Sequence, residues 1–215
     1  MKKYLIILTI LFVDVCYSQI PVEIFMGNDK STLDIMFFRY FKNSENKDSD
    51  WLFFNRNRVS INYKVTPSSN LPSFGFTEAI SFNHPSLKGF APVFVAQIFS
   101  TGLFPKSGFQ YVNISEQMTF FSWIVSELLK NPKFDFFVLL RLTPEINHSL
   151  NWFIQFETLS VFPSNQNDLY NFTQRARLGI KLSELQFGFA ADFNQVGQNS
   201  FKTNSNFGGF VRYDF

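Results

Sequence analysis

Arginine and lysine recur in this chain at even spacings: Arg56, Arg58 and Lys64, and later Arg175, Arg177 and Lys181. In an extended strand an even spacing places side chains on one face. Cations arrayed in this way either lock carboxylates into a fixed network or offer a basic track to an anion. Asp135, Glu157, Asp192 and Asp214 supply carboxylates, and Arg141 and Arg212 add further cations. Covalent and acid–base chemistry has much thinner support. It needs a nucleophile or an activated water beside a base, usually His or a carboxylate. The chain holds two His, His84 in Phe82-Asn-His-Pro and His148 in Asn147-His-Ser, and one Cys, Cys16. It has no Gly-rich phosphate loop and no Cys/His spacing that suits a metal. The expectation is a charge array without catalytic residues, metal ligands or a cofactor.

The elements that carry these charges follow from composition and period. The chain has 215 residues, with Phe at 31 of them, 19% aromatic and only 17% charged. So much aromatic surface with so little charge excludes disorder and an ordinary wetted helical domain. A net charge of +2 gives no reason to expect a nucleic-acid partner. No run near the C-terminal side of residue 20 is apolar for the ~20 residues a spanning helix needs. What recurs is alternation of period two, closed by turns rich in Pro, Asn, Ser, Gly or Asp. The alternation predicts ten strands: Thr32–Phe41, Leu52–Val65, Phe74–Phe82, Phe90–Leu103, Phe109–Val125, Phe134–Thr143, Leu150–Phe162, Leu169–Leu182, Leu185–Gln195 and Phe207–Phe215. Eight strands is the alternative count.

The phase is consistent in most of them. Tyr170, Phe172, Ala176, Leu178, Ile180 and Leu182 oppose Asn171, Thr173, Arg175, Arg177 and Lys181. Phe134, Phe136, Val138, Leu140 and Leu142 oppose Asp135 and Arg141. Two segments depart: Glu78 falls on a Phe face, and Arg39 shares a face with Leu33, Ile35 and Phe37. A soluble sandwich would turn the apolar faces inward. A membrane barrel would turn them to lipid and the charges to the lumen. The strands match the 9–11 residues that a tilted membrane strand needs. Their aromatics are too many for a sandwich core about 10 Å thick. The barrel is therefore the expected architecture, and a secreted β-sandwich binding protein the alternative from another class.

Both ends of the sequence agree. Met1-Lys-Lys, an apolar run from Tyr4 to Val13, and small residues up to Ser18 form a secretory signal peptide pattern, with cleavage expected near Ser18. That divides the chain into residues 1–18 and a barrel domain of residues 19–215. The chain stops at Phe207-Gly-Gly-Phe-Val-Arg-Tyr-Asp-Phe215, with Val211, Tyr213 and Phe215 in one phase. A last strand ending in Phe with an aromatic two residues earlier resembles the assembly signal of the Gram-negative outer-membrane β-barrel superfamily. Phe210 stands where that pattern usually has Gly. The resemblance implies an antiparallel up-and-down barrel in the outer membrane, contact with outer-membrane lipid, and handling by a barrel assembly machinery.

Within that frame the lumen is expected to carry Arg56, Arg58, Lys64, Arg141, Arg175, Arg177, Lys181 and Arg212 against Asp135, Glu157, Asp192 and Asp214. Trp123, Trp152, Tyr63, Tyr170 and Tyr213 are candidates for the interfacial girdles. The largest outer loops are expected at Lys42–Asp50 and Val196–Asn206, with His84 and His148 at opposite ends. The leading functional expectation is a non-enzymatic scaffold or accessory subunit of an outer-membrane assembly, bound to another outer-membrane protein. The alternative is a narrow, anion-favouring passage for small solutes.

Overall fold

The computed structural model describes residues 20–63, 72–129, 132–165 and 167–215. The proposed signal peptide and Lys64 lie outside these residues. Twelve strands form the wall: β1 Pro21–Gly27, β2 Lys30–Lys42, β3 Asp48–Asn62, β4 Ser73–Phe82, β5 Phe90–Phe99, β6 Gly102–Ile114, β7 Met118–Glu127, β8 Lys133–Leu142, β9 Leu150–Pro163, β10 Tyr170–Leu182, β11 Leu185–Gly197 and β12 Phe201–Asp214. A three-residue piece, Glu145–Asn147, adds a short ladder beside β9. Each strand pairs antiparallel with its sequence neighbours, and β1 pairs with β12 from Pro21↔Asp214 to Gly27↔Gly208. The sheet therefore closes on itself without an edge, which rules out the two-sheet sandwich.

The wall has two strands more than the alternation predicts. β1 is only seven residues long, too short to show a period. The stretch read as Phe90–Leu103 and Phe109–Val125 holds three strands, because Phe104-Pro-Lys-Ser-Gly runs inside β6 and the turn falls at Ser115-Glu-Gln117. Pro105 is tolerated in β6 because its missing N–H faces the end of β7. There its carbonyl accepts from Leu128 N at 3.0 Å, one residue past the strand. The expected loop Val196–Asn206 is also mostly strand. β11 and β12 continue to the pair Gly197↔Phe201, leaving a three-residue turn.

The first hairpin turns early, and a side chain from β12 completes it. Asn206 Oδ1 accepts from Asp29 N at 2.9 Å and Lys30 N at 3.2 Å, while its Nδ2 donates to Lys30 O at 3.1 Å. Gly27 is required here, since a Cβ would stand 2.2 Å from Asn206 Oδ1.

Alternation sorts the side chains as expected. Ile24, Leu33, Phe94, Ile124, Phe134, Phe156, Leu178 and Phe189 are exposed on the outer face. This apolar outer band is the surface that a bilayer covers. Tyr63, Trp152 and Tyr213 are exposed near strand ends, where a girdle would lie. Trp123 corrects the expectation: it points inward and is 4% exposed. Its phase was misread because the turn at residues 115–117 went unseen. Arg39 and Glu78 do face outward. Arg39 sits three residues from the end of β2, whereas Glu78 is central in β4. Glu78 Oε1 accepts from Asn55 Nδ2 at 2.6 Å, and Asn57 Nδ2 donates to Asn55 Oδ1 at 3.1 Å. The outer wall thus carries a hydrogen-bonded polar trio at mid-height.

Candidate functional site

The lumen is divided into two unlike halves. Strands β3 to β8 turn Phe54, Val93, Val95, Phe121, Trp123, Phe137 and Leu139 inward as one cluster. Phe54 stacks on Phe121 at 5.4 Å, and Trp123 meets both rings edge to face at 5.4 Å. The other half, from β9 through β12 to β3, is ionic. The division follows from the sequence: inward positions of β5 and β7 are mostly apolar, β8 adds Phe137 and Leu139 between Asp135 and Arg141, and inward positions of β10 are mostly polar.

The ionic half is a single alternating chain of eight groups. Arg58 donates to Asp34. Arg56 Nη2 reaches Asp34 Oδ2 at 2.6 Å, and its Nη1 crosses to Glu157 Oε2 at 2.8 Å. Arg175 Nη1 lies 3.4 Å from Glu157, and its Nε 3.8 Å from Asp192. Arg177 then bridges Asp192 and Glu23, each at 2.8 Å. The chain ties β3, β2, β9, β10, β11 and β1 together through the interior. Each buried charge keeps an opposite neighbour, which is the condition for holding ions out of water. Arg177 also lies over the Phe25 ring at 4.6 Å.

Gln155 joins this chain to a second cluster nearer the chain termini. It donates to Glu157 at 2.7 Å and accepts from Arg141 Nε at 2.7 Å and Arg212 Nη1 at 3.4 Å. Asp214 takes Lys181 at 3.3 Å and Arg212 at 3.4 Å. Asp135 stands apart, paired to Lys106 at 2.5 Å, with Glu127 at 3.5 Å from the same ammonium.

Of the sequence-derived array, Arg56, Arg58, Asp135, Arg141, Glu157, Arg175, Arg177, Lys181, Asp192, Arg212 and Asp214 all lie inside. Sequence reasoning missed Glu23, Asp34, Lys106 and Glu127. Glu23 lies in the unrecognised β1, and Lys106 in a segment read as a turn. Asp34 was legible, being opposite in phase to Leu33 and Ile35. With these groups counted the ionic chain is balanced, four cations to four carboxylates, which offsets the basic excess expected from sequence.

Among the described residues, two cavities border the charged groups of the lumen. One, about 240 Å³, is bordered by Arg56, Arg58 and Arg175 on one side and Phe54, Trp123 and Phe137 on the other. The second, about 160 Å³, lies toward the termini and is bordered by Arg141, Lys181, Arg212 and Asp214. They share no lining residue, and the Arg56–Glu157–Gln155 layer lies between them.

Of the two His, His84 is relocated and His148 keeps its expected end. With β1 recognised, the connectors at residues 83–89 and 143–149 both fall at the end that carries the termini, as does the Asn43–Lys47 turn. His84 accepts from Ser86 N at 3.3 Å as the cap of a short 3₁₀ turn, and His148 lies 3.6 Å from Glu145. Both are exposed and distant in sequence register from the ionic chain.

No protein-family model matches the sequence, and no curated protein matches it. Solved structures do match in fold. The KdgM porin aligns at a TM-score of 0.50 and 13% identity, over 92% of this chain and 99% of that one. A structure of the KdgM porin in complex with disordered oligogalacturonate aligns at 0.50 and 12%, with the same coverage. The β-domain of the Bordetella autotransporter BrkA aligns at only 0.35. In fold, then, this chain is a closed antiparallel up-and-down β-barrel, similar to the KdgM porin.

Proposed function

We propose that the chain is a narrow transport barrel of the outer membrane that favours small anionic solutes. The observation that carries this reading is that cations border both cavities, Arg58 and Arg175 on one side of the central layer and Arg141, Lys181 and Arg212 on the other. Guanidinium groups lining a narrow lumen lower the cost of an anion there. The similarity to a porin whose structure includes an acidic oligosaccharide supports the transport class over the scaffold that the sequence favoured. The central layer of ion pairs is the constriction, so permeation is slow and limited to small solutes.

The test is single-channel recording in a planar bilayer under a KCl gradient. The expected result is small conductance steps with an anion-favouring reversal potential, shifted toward cations by Arg58→Glu or Lys181→Glu. A properly folded barrel with no conductance would overturn the reading. The filled midsection would then favour the accessory-subunit role, with co-purification of a partner as its mark.

A further inference from the structure

The larger cavity has an uneven chemistry that narrows the solute class. One wall is aromatic and rigid. Trp123 packs against Phe137 at 5.3 Å and meets Phe54 edge to face at 5.4 Å, so these rings hold one another in place. The facing wall is guanidinium. Each guanidinium has five N–H donors. Arg58 makes one hydrogen bond, to Asp34, and Arg175 makes one, to Glu157. Nε of both, and Trp123 Nε1, are buried without a hydrogen-bond partner, although Arg175 Nε keeps Asp192 at 3.8 Å. The carboxylates nearby are already engaged: Asp34 by Arg56 and Arg58, Glu157 by Arg56, Arg175 and Gln155. Spare donors therefore outnumber spare acceptors.

An occupant suited to these walls carries an acceptor-only anionic end and an apolar flat body. Chloride would leave the aromatic wall facing water. A sugar acid could pair some of its hydroxyl groups with Ser60, Ser73, Thr77 and Gln97, but would set the rest against rings that supply neither donor nor acceptor. We infer that this cavity is a binding site for a monocyclic aromatic carboxylate, with the carboxylate held by Arg58 and Arg175 and the ring against Trp123 and Phe137. A volume of about 240 Å³ admits one such ring and excludes a chain of them. This inference rests on the transport reading for its physiological sense, but binding can be measured without transport.

Trp51 and Trp152 are exposed on the outer face, 48% and 45%, and Trp123 is the only other Trp. A Trp51→Phe/Trp152→Phe variant therefore reports the cavity alone. Phenylacetate, benzyl alcohol, galacturonate and chloride are titrated against this variant, refolded in detergent. The expected result is a saturable change in Trp123 fluorescence with phenylacetate, and affinity about tenfold or more lower for galacturonate and for benzyl alcohol. Arg58→Gln in the same background should weaken phenylacetate about tenfold, with heat-modifiable gel migration confirming that the barrel is closed. If that variant does not close, Phe137→Leu, which keeps the charges, should weaken phenylacetate while leaving chloride unchanged. No saturation with phenylacetate, or equal affinity for galacturonate, would overturn the inference. Anion conductance without ring preference sinks the site but leaves the transport reading standing. Saturable binding without conductance does the reverse.

Discussion

Arg56 and Glu157 are 101 residues apart in sequence and meet inside the barrel with Nη1 2.8 Å from Oε2. Both side chains are nearly excluded from solvent, at 11% and 3% exposure. The pair joins β3 to β9, which have no backbone pairing with each other. Glu157 also takes Arg175 and Gln155, so it is the most shared carboxylate of the ionic chain.

Removing that carboxylate should be severe. Glu157→Gln leaves Arg56 and Arg175 short of a counter-charge in a buried place, and a loss of about 3–5 kcal/mol is expected. Guanidinium unfolding of the lipid-reconstituted barrel measures it. The double variant Arg56→Met/Glu157→Leu should lose less than Arg56→Met and Glu157→Leu summed, since neither member of the pair is left facing a missing partner. Additive losses would show that the two residues act independently.

The first hairpin offers a paired test. Gly27→Ala should cost about 1–3 kcal/mol, because its Cβ would overlap the Asn206 amide. Asn206→Ala should cost a similar amount by leaving Asp29 N and Lys30 N without their acceptor. In the double variant the overlap is gone, so its loss should match Asn206→Ala alone. A fully additive double variant would refute the steric account.

Glu78 is the charged residue that the outer face holds at mid-height. Glu78→Gln keeps an acceptor for Asn55 and removes the charge from the surface that lipid covers. A gain of about 1 kcal/mol is expected in bilayers, smaller than the penalty known for a lipid-facing Arg or Lys. Unfolding in detergent and in lipid separates the effect, since only lipid should report it. A loss in lipid would show that the carboxylate has a partner there.

The C-terminal residues have an expected role in assembly. Phe215 is 68% exposed, and its backbone pairs with Ile20 through N–O contacts of 3.0 and 3.1 Å. Phe215→Ala should leave the refolded barrel within about 0.5 kcal/mol of the parent, as for a surface change. In cells the same change should lower the heat-modifiable outer-membrane fraction several-fold. Equal yields in cells would argue against an assembly signal at this residue.

How much was legible varied with segment length and phase. β10 and β11 alternate with little interruption, and Arg175, Arg177 and Asp192, with Asp135 near the start of β8, could be assigned to the lumen from spacing alone. β1 could not be read, because its seven residues gain their identity by pairing with β12, an interaction 180 or more residues away in sequence. β6 was hidden by Pro105 and Gly108, which mark turns in most contexts but here sit at a ladder end and a close strand approach. Missing β1 also inverted the loops as far as β6, placing Lys42–Asp50 and His84 at the wrong end. The apolar half of the lumen was illegible for a simpler reason. Where both faces of a strand are apolar, as in Phe120–Phe121 or Phe136–Phe137, period two says nothing about which face is inside.

The brevity of β1 has a mechanical consequence. It is stapled by seven residue pairs to β12 and five to β2, while β11 and β12 share thirteen. A cylinder strained sideways parts along its weakest line, and that line runs beside β1. The wall therefore has a built-in seam, the place where a lateral tear would begin.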